Sequence, residues 1–120
     1  MCDSSMYDEP VYTTTQQGMV AQFYYEKMGR IPVPYEARAA LVEEIAELTA
    51  ALALGAEPED FLKELADVLY TCYGLATAEG WNLVEAFRLV HKSNMTKQKT
   101  ASGKIQKGEN YVAPDLSGCV

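Results

Sequence analysis

Glycine and proline residues divide most of this chain into four segments with the periodicity of α-helices. Gly29, Gly55 and Gly80 each follow a segment in which apolar residues recur every three or four positions. Pro58 suits the first turn of the third segment, whereas the two prolines of RIPVP, at 30–34, require an extended connection. No useful length of strict apolar–polar alternation interrupts this pattern. It predicts helices at residues 15–28, 35–54, 58–79 and 83–95.

The predicted architecture is an all-α, four-helix-bundle-like domain, because the connections are short enough to join antiparallel neighbours. A length of 120 residues allows one domain with its own core. We expect a flexible tail at 1–14, a helical domain at 15–95, and an irregular, basic C-terminal segment at 96–120 that packs near the functional site. The first residues are polar and acidic and lack the apolar region of a signal peptide.

Composition and charge exclude several classes of protein. Apolar residues make up 48% of the chain, too many for a disordered protein, and the net charge of −7 argues against binding to nucleic acid or to an anionic membrane. The three cysteines, Cys2, Cys72 and Cys119, are widely spaced and odd in number, which favours reduced thiols. No apolar run is long enough to span a membrane. We therefore expect a cytoplasmic protein.

Two pairs of acidic residues occupy matching positions on the second and third predicted helices. Glu44 and Glu47, in EIAE, are three residues apart, and so are Glu64 and Asp67, in ELAD. Each pair therefore projects from one face of its helix, and the short turn between the helices can bring the two pairs together. Clustered carboxylates repel one another, and a divalent cation with a preference for oxygen ligands removes that cost. The pattern predicts a Mg²⁺ site made of these four acids.

Acidic pairs are common on exposed helix surfaces, so the prediction of a metal site depends largely on the residues that surround the acids. The only charged residue between Leu65 and Ala78 is Asp67, so we expect it to lie where solvent is scarce, at a high cost unless it is paired or coordinated. On the second helix, Glu44 is expected at the margin of the buried stripe and Glu43 on the opposite side. That predicted stripe consists of Leu41, Ile45, Leu48 and Leu52.

A di-iron carboxylate centre is the competing metal site in a helical bundle. It needs Glu-x-x-His motifs on two helices. The single histidine, His91, has no acid three residues before it. The sequence therefore disfavours this alternative.

A basic stretch follows the fourth predicted helix. Half of the ten Lys and Arg residues fall within KSNMTKQKTASGKIQK, and no acid occurs between Ala86 and Gly108. A lysine-rich loop can be merely solvated, but beside a predicted Mg²⁺ site it favours phosphate binding. Aromatic residues, including Phe23, Tyr24 and Tyr111, are candidates for stacking on a base.

Taken together, these motifs resemble those of a known protein family. EExxE at 43–47 followed by ExxD at 64–67, then SNMTK at 93–97 and GENYVAPDL at 108–116, resembles the MazG-like all-α nucleoside triphosphate pyrophosphohydrolases of the short phage and bacterial type. The resemblance covers roughly residues 17–116. One departure is Phe23-Tyr24, where relatives often carry Phe-His, and this affects the expected base preference.

The resemblance implies a homodimer or homotetramer in the cytoplasm of a bacterium or a phage-infected host. It also implies Mg²⁺-dependent cleavage of nucleoside triphosphates between the α- and β-phosphates, with Mn²⁺ as a possible substitute, in a catalytic domain at 15–95. The implied metal ligands and catalytic residues are Glu44, Glu47, Glu64 and Asp67. The implied nucleotide-binding residues are Asn94, Lys97, Lys107 and Tyr111.

Three alternatives stay open. A narrow-substrate relative would hydrolyse dUTP, dCTP or phosphoribosyl-ATP in the same way. A non-enzymatic helical module would bind nucleotides without Mg²⁺-dependent turnover. A purely structural oligomer would tolerate alanine at all four acids.

Overall fold

The computed structural model describes residues 15–120, which form two units, 15–81 and 82–120. Residues 1–14, where the sequence predicts a flexible tail, lie outside the described part of the chain. The first unit consists of α1 (Gln16–Lys27), α2 (Pro34–Leu54) and α3 (Pro58–Glu79). The second contains α4 (Leu83–Asn94), the short strands β1 (Gln98–Lys99) and β2 (Ile105–Gln106), and a 3₁₀ turn (Ser117–Cys119).

The structure confirms the all-α prediction and corrects two details of it. The second helix begins at Pro34, within the predicted extended connection, because proline at the first helical position lacks an N–H that the helix does not use. The C-terminal segment, expected to be irregular, contains an antiparallel hairpin in which Gln98 lies opposite Gln106. The fourth helix groups with this segment, and the role of residues 15–95 as one catalytic domain stays a prediction.

Local hydrogen bonds and glycine conformations fix the ends of α2 and α3. The Glu36 carboxylate accepts hydrogen bonds from the Val33 amide at 2.9 Å and from the Arg30 guanidinium at 2.9 and 3.1 Å. The contact with Arg30, followed by the backbone hydrogen bond, lowers the pKa of Glu36 to about 2. The two helices end at Gly55 and Gly80, with φ values of 65° and 78° that favour glycine.

Helix α3 organises the first unit, because both α1 and α2 pack against it. Arg38, near the start of α2, contacts Glu79, at the end of α3, with an N–O distance of 2.6 Å. The two helices are therefore antiparallel, as the short turn between them predicts. Small residues let the helices approach closely. The buried residues of this unit are Val20, Pro32, Ala37, Gly74 and Ala76.

Many large apolar side chains of the first unit are exposed. They include Phe23, Ile45, Leu65, Leu69 and Tyr70. Exposed apolar surface of this kind is typical of interfaces, and the predicted homo-oligomer stays a prediction. No helix in the described part of the chain combines the length and the hydrophobicity that crossing a membrane requires.

In the second unit, the C-terminal segment runs back along α4. The Asn82 side chain caps the helix by accepting from the Glu85 amide at 3.0 Å, and the Asn82 amide donates to the Cys119 carbonyl at 2.8 Å. At the other end of the helix, the buried Ser93 hydroxyl donates to the Val112 carbonyl at 2.6 Å. These bonds join the segment to both ends of α4.

Candidate functional site

Three of the four predicted metal-binding acids meet between α2 and α3. Each of Glu44, Glu47 and Glu64 offers a carboxylate oxygen, and the three oxygens lie within 4.8 Å of one another. Glu47 is exposed, while Glu44 and Glu64 are partly buried. The antiparallel packing of the two helices therefore places EIAE beside ELAD, as the sequence predicts.

Glu44 is partly buried and its carboxylate lies near that of Glu64 on α3, whereas only part of the predicted buried stripe of α2 is shielded from solvent. Ile45 and Leu52, expected at the centre of the buried stripe, are 46% and 60% exposed. Residues spaced by three or four positions around Glu44 are the less exposed ones. They are Ala37, Leu41, Leu48 and Ala51. Because α2 carries apolar residues on several sides, the sequence alone does not show which side packs against α3.

The environment of Glu44 is unfavourable to its charge. One oxygen, Oε2, is buried and has no hydrogen-bond partner among the described residues. Burial, followed by the close approach of the Glu47 carboxylate and repulsion from the charges of Glu47, Asp67 and Glu64, raises the pKa of Glu44. A buried carboxylate oxygen without a partner is costly in the absence of a cation.

The donor set fits a Mg²⁺ ion. All three groups supply carboxylate oxygen, the ligand that this ion prefers. With a Mg–oxygen distance of about 2.1 Å, two opposite ligands lie about 4.2 Å apart. The carboxylate oxygens of the three acids lie within 4.8 Å of one another, close to this distance. A small rotation of a glutamate side chain moves its oxygen by the remaining few tenths of an ångström. The open oxygen of Glu44 is directed at no protein donor and is available for coordination.

Asp67 differs from the other three acids, because it forms the short ion pair with a lysine and is not part of the cluster of three carboxylates. The Lys63 ammonium lies 2.6 Å from Asp67 Oδ2 and 3.5 Å from Glu64 Oε1. The side chain of Asp67 is 32% exposed, whereas that of Glu64 is 17% exposed. Asp67 is thus less buried than the other acid of its pair, and the expectation that it lies where solvent is scarce is wrong.

Lys63 belongs to the site but is absent from the sequence-based prediction. The hydrogen bond with Asp67, followed by the charges of Asp67 and Glu64, raises the pKa of Lys63 to about 12. Its position four residues before Asp67 is the signal that could have identified it, because residues at this spacing are neighbours on a helix.

Aromatic residues form a second group in the first unit. The ring of Phe23 packs edge to face against Tyr24 and Tyr70, at centroid distances of 5.6 and 5.7 Å. Burial, and next the proximity of Tyr70, raises the pKa of Tyr24. A cavity of about 220 Å³ adjoins this group, lined by Gln16, Met19, Val20, Ala66, Leu69, Tyr70 and Tyr73.

The predicted nucleotide-binding residues all lie in the second unit, where they form two pairs. Asn94 is the last residue of α4, and its carbonyl accepts from the Lys97 amide at 3.1 Å in the turn that follows. The Lys107 ammonium lies over the Tyr111 ring, 5.0 Å from its centroid. The Tyr111 hydroxyl lies 3.4 Å from the Ser93 hydroxyl, whose proton is donated to the Val112 carbonyl. The Lys107–Tyr111 pair thus combines a cation with a ring that can stack on a base.

Comparisons with known proteins identify a family. A family model described as phosphoribosyl-ATP pyrophosphohydrolase matches residues 14–94, more than half of the chain, and this range includes the acids of both helices. No curated protein matches the chain at a stringent threshold.

Proposed function

The chain belongs to the phosphoribosyl-ATP pyrophosphohydrolase family, and on this premise we propose that it hydrolyses nucleoside triphosphates to a nucleoside monophosphate and pyrophosphate in a Mg²⁺-dependent reaction. The family is one of the MazG-like all-α pyrophosphohydrolases, so the resemblance read from the sequence is confirmed at that level. Membership indicates a hydrolase that acts on a phosphoric anhydride. The short MazG-like type, the substrate and the metal are the proposed parts.

The observation that carries the proposal is the open Glu44 oxygen within a cluster of three carboxylates. Glu44, Glu47 and Glu64 have their oxygens within 4.8 Å of one another, and Glu44 Oε2 has no hydrogen-bond partner in the described part of the chain. We infer that these three residues, with Asp67 as a fourth ligand, hold Mg²⁺. When bound, the ion neutralises charge on the phosphates and lowers the pKa of a coordinated water.

The protein's own groups orient the substrate and take up the proton. Water attacks the α-phosphorus, the bond from that phosphorus to the bridging oxygen breaks, and pyrophosphate leaves with that oxygen. Glu47 is the exposed member of the carboxylate cluster, so it is the side chain that incoming water meets and the one we assign as the proton acceptor. Asn94 and Lys97 are proposed to contact the sugar and the phosphates, with Lys107 and Tyr111 assisting.

The experiment that tests this proposal is product analysis by ion-exchange chromatography. The purified protein is incubated with each common ribo- and deoxyribonucleoside triphosphate, with Mg²⁺, with Mn²⁺ and with EDTA. The expected result is nucleoside monophosphate plus pyrophosphate, formed only with a divalent cation. A nucleoside diphosphate plus phosphate would show cleavage of a different bond and refute the proposal. Binding without turnover would favour a nucleotide-binding module.

A second candidate substrate is phosphoribosyl-ATP, which the description of the matching family favours. The same bond would be cleaved, and the same carboxylates would act. Including this compound beside the common triphosphates, with dUTP and dCTP among them, decides between the candidates by the ratio of kcat/KM values. The exposed apolar side chains of α2 and α3 further support a homo-oligomer in solution, which sedimentation equilibrium would test.

A further inference from the structure

Lys63 has acidic neighbours both before and after it along α3, and its ammonium contacts the two that follow it. Glu59 and Asp60 lie four and three residues before it, and Glu64 and Asp67 lie one and four residues after it. Its ammonium lies 2.6 Å from Asp67 Oδ2 and 3.5 Å from Glu64 Oε1. Both contacts are with residues assigned above as ligands of the cation.

We propose that the Lys63 ammonium is a resident counter-ion of Glu64 and Asp67 that competes with the divalent cation for these carboxylates and so weakens the protein's affinity for it. This inference rests on the proposed function of the acids as a metal site. Lys63 contacts the same two carboxylates that are proposed to hold the cation, so binding of the cation would weaken the ion pair. The ammonium and the cation also repel each other at close range.

The size of the effect of Lys63 on cation affinity follows from the exposure of its side chain. The Lys63 side chain is 67% exposed, and an ion pair at such a position is worth little because water screens it. Removing the charge of Lys63 should therefore lower the Kd for the cation by only about two- to fivefold, which is the change that the free energy of an exposed ion pair can produce. An effect of this size is measurable by titration.

The test is a Mn²⁺ titration of the full chain by calorimetry, with free Mn²⁺ followed by electron paramagnetic resonance. Lys63→Met removes the charge and keeps the length of the side chain, and Lys63→Arg keeps the charge. Lys27→Met is the matched control, since Lys27 is an exposed lysine in the last turn of α1. We expect Lys63→Met to lower the Kd about two- to fivefold, and Lys63→Arg and Lys27→Met to leave it near the wild-type value.

The outcomes separate this inference from the proposed function. If the wild type binds Mn²⁺ and Lys63→Met binds it equally or more weakly, the competition is refuted while the metal site stands. If the wild type binds no Mn²⁺, both are refuted. The increase in Tm on adding Mn²⁺ is a second measurement, and it should be larger for Lys63→Met than for Lys27→Met. Lys63→Gln should reproduce the tighter binding if Lys63→Met does not fold.

Discussion

Replacing Glu44 by glutamine should stabilise the protein without a divalent cation and destabilise it with one. The carboxylate is surrounded by other acids, and its Oε2 is buried without a partner. An amide of the same size carries no charge and can donate a hydrogen bond to a neighbouring carboxylate. It is also a poorer ligand for Mg²⁺, which favours carboxylate oxygen.

The size of both effects can be worked out from this geometry. An unsatisfied buried polar atom costs about 1–3 kcal/mol, and each like-charge neighbour on a helix adds roughly 0.2–0.5 kcal/mol. Because the amide recovers only part of this, we expect Glu44→Gln to gain about 1 kcal/mol in EDTA, or about 3–5 °C in Tm for a chain of this size. In the wild type, Mg²⁺ at 100 times its Kd raises the free energy of unfolding by about 2.7 kcal/mol, and Glu44→Gln should lose most of this increase.

The pH dependence of the EDTA measurement has a defined sign. Since the pKa of Glu44 is raised in the folded protein above its ordinary value of 4.5, the unfolded chain releases this proton at lower pH than the folded one. At pH values above 4.5, the charge of Glu44 therefore lowers the unfolding free energy of the wild type, and this destabilisation disappears as the pH falls below 4.5. The advantage of Glu44→Gln should be present at pH 7 and small near pH 4.

Thermal unfolding at one protein concentration, with EDTA and with Mg²⁺ at both pH values, measures all of this. The control is Glu43→Gln, which removes one charge from the same turn of α2 at an exposed position. It should shift Tm little in either buffer and retain turnover, whereas Glu44→Gln should lose it. If Glu44→Gln were destabilised equally in EDTA and in Mg²⁺, Glu44 would be a structural residue and the site would be misassigned.

Three further predictions concern the helices that hold the site. The pKa of Glu36 is lowered to about 2 in the folded protein, so ionised Glu36 stabilises the fold at pH values above 4.5, its ordinary pKa, and this stabilisation is lost as the pH falls towards 2. Glu36→Gln loses the ion pair with Arg30, so urea titrations should show a smaller fall in its unfolding free energy between pH 7 and pH 2.5. A methyl group at the buried Gly74 would collide with the Tyr24 hydroxyl, so Gly74→Ala should cost about 1–3 kcal/mol in urea unfolding, and less in a Tyr24→Phe background. Ser93→Ala leaves a carbonyl of the C-terminal segment unpaired, so it should cost about 1–3 kcal/mol and speed amide hydrogen exchange in residues 110–114.

The ends of the helices could be predicted from the sequence, because their causes are local. Gly55 and Gly80 adopt left-handed conformations that other residues rarely take, and Pro58 occupies the first position of α3. Asn82 caps α4 with its own side chain. Each of these depends on one residue and its immediate neighbours, so no knowledge of the tertiary structure is needed.

The orientation of the acids could be predicted only in part. The spacing of Glu44 and Glu47 places them on one side of α2, but whether that side meets α3 depends on packing. Ile45 is apolar and yet 46% exposed, while the charged Glu44 is less exposed, so hydrophobicity alone predicts the less exposed side of α2 only in part. Helix α2 has apolar residues on more than one side, which removes the contrast on which periodicity depends.

The difference between Asp67 and the other acids depends on the rotamer of a single lysine. Lys63 can reach acids on either side of it along α3, and the contact energy of an exposed pair is too small for the sequence to decide between them. Around Glu64 and Asp67, however, several negative charges are concentrated, and their combined potential attracts the ammonium more strongly than an isolated carboxylate would. If these acids hold a divalent cation, as we propose, the same potential attracts that ion as well. Lys63, which contacts both Glu64 and Asp67, is then the residue that the cation displaces.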